Sequence, residues 1–120
     1  FNHFKIIINK SDFPVRSFEP VDGVGGIKLN LSPYGNCNDW FDHLDRPDVL
    51  LHLAWGGLPN YLDNYHVEVE LPIQSQFLGK VVASGLPKLV VTGTCYEYGL
   101  TSGELVESQE TNPNTPYGIA

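Results

Sequence analysis

The stretch Val49-Leu50-Leu51-His52-Leu53-Ala54 sets the fold class. It is almost continuously apolar, as expected for a parallel strand covered on both faces. The segment Lys88 to Thr92, centred on Leu89-Val90-Val91, reads as a second buried strand and runs into Thr92-Gly93-Thr94. Between the two, Trp55 to Asn64 is a Gly/Pro/Asn-rich loop. His66 to Ser84 then carries apolar residues at Val67, Leu71, Phe77, Leu78, Val81 and Val82, which predicts a long helix with Pro72 tolerated in its early part. Gly85 stops that helix and Pro87 follows. Strand, helix and strand with short connections indicate an α/β fold with a parallel sheet and flanking helices.

Upstream, Phe4-Lys5-Ile6-Ile7-Ile8-Asn9 predicts a short strand, Lys10 to Gly26 a loop, and Ile27-Lys28-Leu29-Asn30 another strand. Pro33 to Asn38 forms a turn. Asn36 or Asn38 then caps a short helix whose Trp40, Phe41 and Leu44 share one face, and Pro47 ends it. The Gly23-Gly25-Gly26 cluster is not GxGxxG and precedes no helical pattern, so it reads as loop.

The chain of 120 residues forms one domain at most. Its net charge of −7 and lack of a basic cluster argue against a nucleic-acid partner. Cys37 and Cys95 have no CxxC pairing and no His at ligand spacing, so no metal site or disulfide is expected and both thiols are reduced. No apolar run reaches roughly 18 residues, so no membrane span is expected. The chain opens on Phe1 and lacks Met, and it reads as a piece of a longer cytoplasmic protein.

Downstream of the second strand stand Glu97-Tyr98-Gly99, an acidic Pro-rich loop closing with Asn112-Pro113-Asn114-Thr115-Pro116, and Tyr117-Gly118-Ile119-Ala120. Those last four residues read as the start of Tyr-x-x-x-Lys. A lysine in the next position would lie one helical turn from the Tyr117 phenol, where a cation favours the phenolate.

From about Asn30 to Ala120, this series resembles the extended short-chain dehydrogenase/reductase family and its nucleotide-sugar branch of epimerases, dehydratases and 4-keto reductases. The resemblance is carried by Asn30-Leu31, Pro47 to Ala54, Thr92-Gly93-Thr94 with Tyr98-Gly99, and Thr115-Pro116-Tyr117-Gly118. The wording His52-Leu53-Ala54-Trp55-Gly56-Gly57-Leu58-Pro59 and Thr92 to Gly99 is most similar to reductases of dTDP-4-keto-6-deoxyhexoses, which make deoxysugars for bacterial surface polysaccharides.

The resemblance implies a partial NAD(P)-binding Rossmann domain over residues 1–120, lacking the first β-α unit and the C-terminal substrate domain. No catalysis is expected from these residues alone. Thr94 and Tyr117 would be catalytic, the first orienting the sugar carbonyl and the second passing a proton to or from its oxygen. Asn30 and Leu31 would meet the adenine. Leu53, Ala54, Trp55, Thr92 and Tyr117 would line the rest of the cofactor site, while His52 reads as a core residue. Asn9-Lys10-Ser11 offers a cation and a hydroxyl but no carboxylate, which leans towards NADP over NAD. Trp55, Tyr61 and Tyr65 are placed either to stack on a base or sugar or simply to pack. Glu70 stands about where the family commonly has Asn. The implied partner is a nucleotide-sugar substrate, with a homodimer left open. An epimerase or dehydratase, or a non-catalytic binding module, are the alternatives.

Overall fold

A computed structural model describes residues 40–120 and the backbone of 4–7. The expectations for Asn9-Lys10-Ser11, the glycine cluster, the Ile27–Asn30 strand, Leu31 and Cys37 lie outside the described residues. Three parallel strands form one sheet in the order β1-β2-β3: β1 Phe4–Ile7, β2 Val49–His52 and β3 Leu89–Val91. Phe4 pairs with Val49 and Ile7 with His52, while Leu50 pairs with Leu89 and His52 with Val91. The helices are α1 Trp40–His43, α2 Leu71–Ala83 and α3 Pro116–Ile119.

The core lies between α1, α2 and one face of β2. Trp40, Phe41 and Leu44 meet Leu50, Ala54, Phe77, Val81 and Leu86 there, and Trp40 packs edge-on against Phe77 at 5.4 Å. Period-two alternation puts Leu50, His52 and Ala54 on this side of β2. Leu51, Leu53 and Val90 therefore share the opposite face, where Leu53 is 39% and Val90 50% exposed. Val91, on the core side, is 51% exposed, so among the described residues β3 lacks the cover that the sequence predicts for a buried strand. β3 is an edge strand among the described elements, and the helices described pack on one side.

The long helix expected over 66–84 is two pieces. His66–Glu70 is a wide π turn, closed by a bond from the Leu71 N–H to the His66 carbonyl, and α2 follows it. Pro72 explains the change of pitch. It has no N–H to give, and its ring would collide with the carbonyl four residues back in a regular helix. Widening the preceding turn carries that carbonyl aside. At the other end the chain stops as the sequence predicts. Gly85 takes φ +102°, its N–H bonds to Val82 O, and Leu86 N–H bonds to Val81 O. This double closure satisfies the last carbonyls of α2 and folds Leu86 onto Val81.

Candidate active site

The carboxyl ends of β2 and β3 deliver Leu53-Ala54-Trp55 and Thr92-Gly93-Thr94 to one edge of the sheet. Ligands of open parallel sheets bind at this edge. Thr92 uses its hydroxyl proton within the fold, donating to the His52 carbonyl at 3.3 Å. Thr94 behaves differently. It caps the 3-10 turn Cys95–Tyr98, its oxygen accepting the Tyr96 N–H at 3.3 Å. A hydroxyl has one donor and two acceptor lone pairs, so this cap leaves the Thr94 proton available to another oxygen.

Tyr117 arrives on α3. Thr115 caps that helix by accepting the Gly118 N–H at 3.1 Å, and Pro116 occupies its first position. Gly118 is needed for close approach, because a Cβ there would stand 2.6 Å from the Tyr96 carbonyl oxygen. The Tyr117 N–H bonds to the Tyr61 carbonyl at 3.2 Å. Its ring is surrounded by His66 at 5.1 Å, Tyr61 at 5.3 Å, Tyr96 at 5.7 Å and Trp55 at 6.2 Å. The structure thus brings Trp55, the Thr94-capped turn and Tyr117 together from three distant stretches of sequence. Next to them, Cys95, Tyr96, Gly99, Leu100, Asn114 and Thr115 line a groove of about 410 Å³. Tyr61 stacks on Tyr96 at 4.8 Å, and Trp55 lies over His66.

A buried polar chain supports this edge, and the sequence reading assigned it no role. His52 Nε2 meets Gln74 Oε1 at 2.7 Å, and Gln74 Nε2 donates to Glu70 Oε1 at 2.7 Å. The same Glu70 oxygen accepts the Gly56 N–H at 2.7 Å, and Glu70 Oε2 accepts the Tyr65 hydroxyl at 3.0 Å. Glu70 is 3% exposed and latches the loop after β2 onto the start of α2. Burial pushes the His52 imidazole below its ordinary value, although the Gln74 bond and the Glu70 charge pull the other way. His52 is therefore a neutral core residue, in line with its structural reading. The signal for this chain was present in the sequence: His66, Glu70 and Gln74 recur every four residues along the stripe that continues into Phe77 and Val81.

Among the described residues, no group of three or more His, Cys, Asp or Glu could hold a metal ion. No helix among them is long and apolar enough to cross a membrane. Cys95 is a free, exposed thiol.

Residues 7–120 match the family model described as "NAD dependent epimerase/dehydratase family". The chain belongs to this family. It is also 34% identical over 79 residues to a dTDP-6-deoxy-L-talose 4-dehydrogenase (NAD(+)) from Aggregatibacter actinomycetemcomitans. That alignment covers 66% of this chain and 29% of the relative, so the chain spans less than a third of the relative's length. No solved structure matches significantly.

Proposed function

We propose that the protein carrying this chain is an NAD(P)-dependent oxidoreductase that reduces a nucleotide-activated 4-keto-6-deoxy sugar. The observation that carries the reading is the convergence of Thr94 and Tyr117 beside the carboxyl ends of β2 and β3, in a member of a nucleotide-sugar family. The named activity of the talose 4-dehydrogenase relative supports a hexose oxidised or reduced at C4.

The described residues suit the planar part of a dinucleotide. Leu53 exposes an apolar side chain just past the carboxyl end of β2, where a flat ring could pack on it. Such a cofactor supplies the hydride. Tyr117 would give its phenolic proton to the C4 oxygen, and the Thr94 hydroxyl would donate to the same oxygen and fix its direction. The groove lined by Tyr96, Leu100 and Asn114 takes the sugar, being of the size that small ligands fill. Residues 1–120 would form part of the NAD(P)-binding domain, with Trp55, Thr92 and the backbone at Leu53 and Ala54, whose own side chain is buried in the core, on the cofactor side.

The test uses the full-length protein, a dTDP-4-keto-6-deoxyhexose and NADH or NADPH, followed by product analysis. Stoichiometric cofactor oxidation with a 4-hydroxy product is expected. An isomerised sugar with no net cofactor consumption would favour the epimerase reading, which the family's own description keeps in view. Equal-concentration kinetics with the two cofactors test the preference for NADPH drawn from Asn9-Lys10-Ser11.

A further inference from the structure

We propose that His66 is a positioning residue for this reaction, its neutral imidazole tying Trp55 and the Asn60-Tyr61 segment together beneath the Tyr117 ring. The proposal rests on the proton-transfer role given to Tyr117 above.

His66 is completely buried, and three parts of the site meet on its ring. Trp55 Nε1 donates to His66 Nδ1 at 3.0 Å. An indole N–H can only donate, so Nδ1 must be the unprotonated nitrogen. The proton then sits on Nε2, which faces the Asn60 carbonyl at 2.9 Å and donates to it. The two bonds select the same tautomer independently. A protonated ring would set an N–H against the Trp55 N–H, and the other tautomer would mismatch both contacts.

The third contact is with Tyr117, whose ring meets His66 edge-on at 5.1 Å and an interplanar angle of 64°. The geometry closes on itself. Asn60, held by His66, directly precedes Tyr61, whose carbonyl receives the Tyr117 N–H. Trp55, also held by His66, stands edge-on to the Tyr117 ring at 6.2 Å. Trp55 and the Asn60-Tyr61 segment, which reach Tyr117 from the β2 side, are thus tied to each other through His66, in addition to the loop's own bonds from Asn60 N–H to Gly57 O and from Tyr61 N–H to Pro59 O. The wide turn over His66–Glu70 places the imidazole here while Glu70 holds Gly56. His66 acts through Tyr117 and has no assigned contact with the reacting atoms.

An amide offers an acceptor and a donor at nearly the spacing of the two imidazole nitrogens, whereas a phenyl ring keeps the aromatic contact and loses both bonds. Steady-state kinetics of full-length His66→Phe and His66→Gln separate these contributions. The Phe variant should lose about 10- to 100-fold in kcat, the scale of a roughly 1 Å misplacement of a reacting group. Its KM for the keto sugar and its affinity for NADH, read by fluorescence titration, should stay within about threefold. The Gln variant should recover kcat to within about fivefold of the unmodified protein.

A folded Phe variant with unmodified kcat overturns the proposal. So does a pair of variants whose kcat falls only in proportion to folded protein. If the Phe variant does not fold, the Gln variant decides: folded and within about fivefold supports the proposal, and folded with any greater loss overturns it. An unmodified protein that oxidises no cofactor with the keto sugar overturns the functional reading and this role with it. An active unmodified protein beside an equally active Phe variant overturns the positioning role alone.

Discussion

Replacing Glu70 by Leu should release the loop after β2 from α2. The carboxylate takes two buried donors, the Gly56 N–H and the Gln74 amide, and one part-buried donor, the Tyr65 hydroxyl. Leucine leaves the two buried donors without a partner, and each stranded group costs about 1–3 kcal/mol. Tyr65 is 37% exposed and can turn to water, so it adds little. The sum is a loss of about 2–6 kcal/mol, a large part of the roughly 5–15 kcal/mol stability of an ordinary domain. Glutamine should be far milder. Its oxygen still serves Gly56 and Gln74, its amide can donate to the Tyr65 oxygen, and the lost charge assistance amounts to about 1 kcal/mol. Urea denaturation of the full-length protein and both variants, extrapolated linearly, measures the difference. A Leu variant within about 1 kcal/mol of the unmodified protein would refute the latch, since no pair of buried donors could then depend on Glu70.

Two further outcomes follow from the same geometry. Thr94→Val removes both the cap on the 3-10 turn and the hydroxyl offered to substrate, so stability should fall by about 0.5–2 kcal/mol while kcat falls about 10²–10⁴-fold and cofactor affinity holds. Near-normal turnover would pass the role to another group such as Thr92. His52 should make stability pH-dependent: the unfolded chain takes up a proton near 6.5 while the buried ring stays neutral. The difference is absent above about pH 6.5 and destabilises the fold as pH drops towards the lower native value, by at most about 1.4 kcal/mol per pH unit. Denaturation midpoints at two pH values should show a flatter dependence in His52→Gln, and equal slopes would remove this account.

The parallel sheet was legible because β2 and β3 are apolar runs bounded by loop and helix signals, and Gly85 announced the end of α2. The faces were harder to read. Leu51 and Val90 look as core-like as Leu50 in sequence, and only the placement of α1 and α2 on one side separates them. The π turn escaped a reading based on regular helical spacing, although Pro72 was its cause. Thr94 and Tyr117 were singled out by the family resemblance of the motifs that hold them, and the structure sets those motifs in adjoining turns. Their support was visible only as the four-residue spacing of His66, Glu70 and Gln74, whose partners come from the loop that is folded over them.

The proton transfer assigned to Tyr117 is tested most directly by single-turnover reduction with Tyr117→Phe. The substitution removes one oxygen and leaves the ring packed among Trp55, Tyr61, His66 and Tyr96. The account predicts a folded protein that binds cofactor normally and reduces the 4-keto sugar about 10²–10⁴-fold more slowly. A Phe variant that folds, binds and reduces the sugar at the unmodified rate would contradict it.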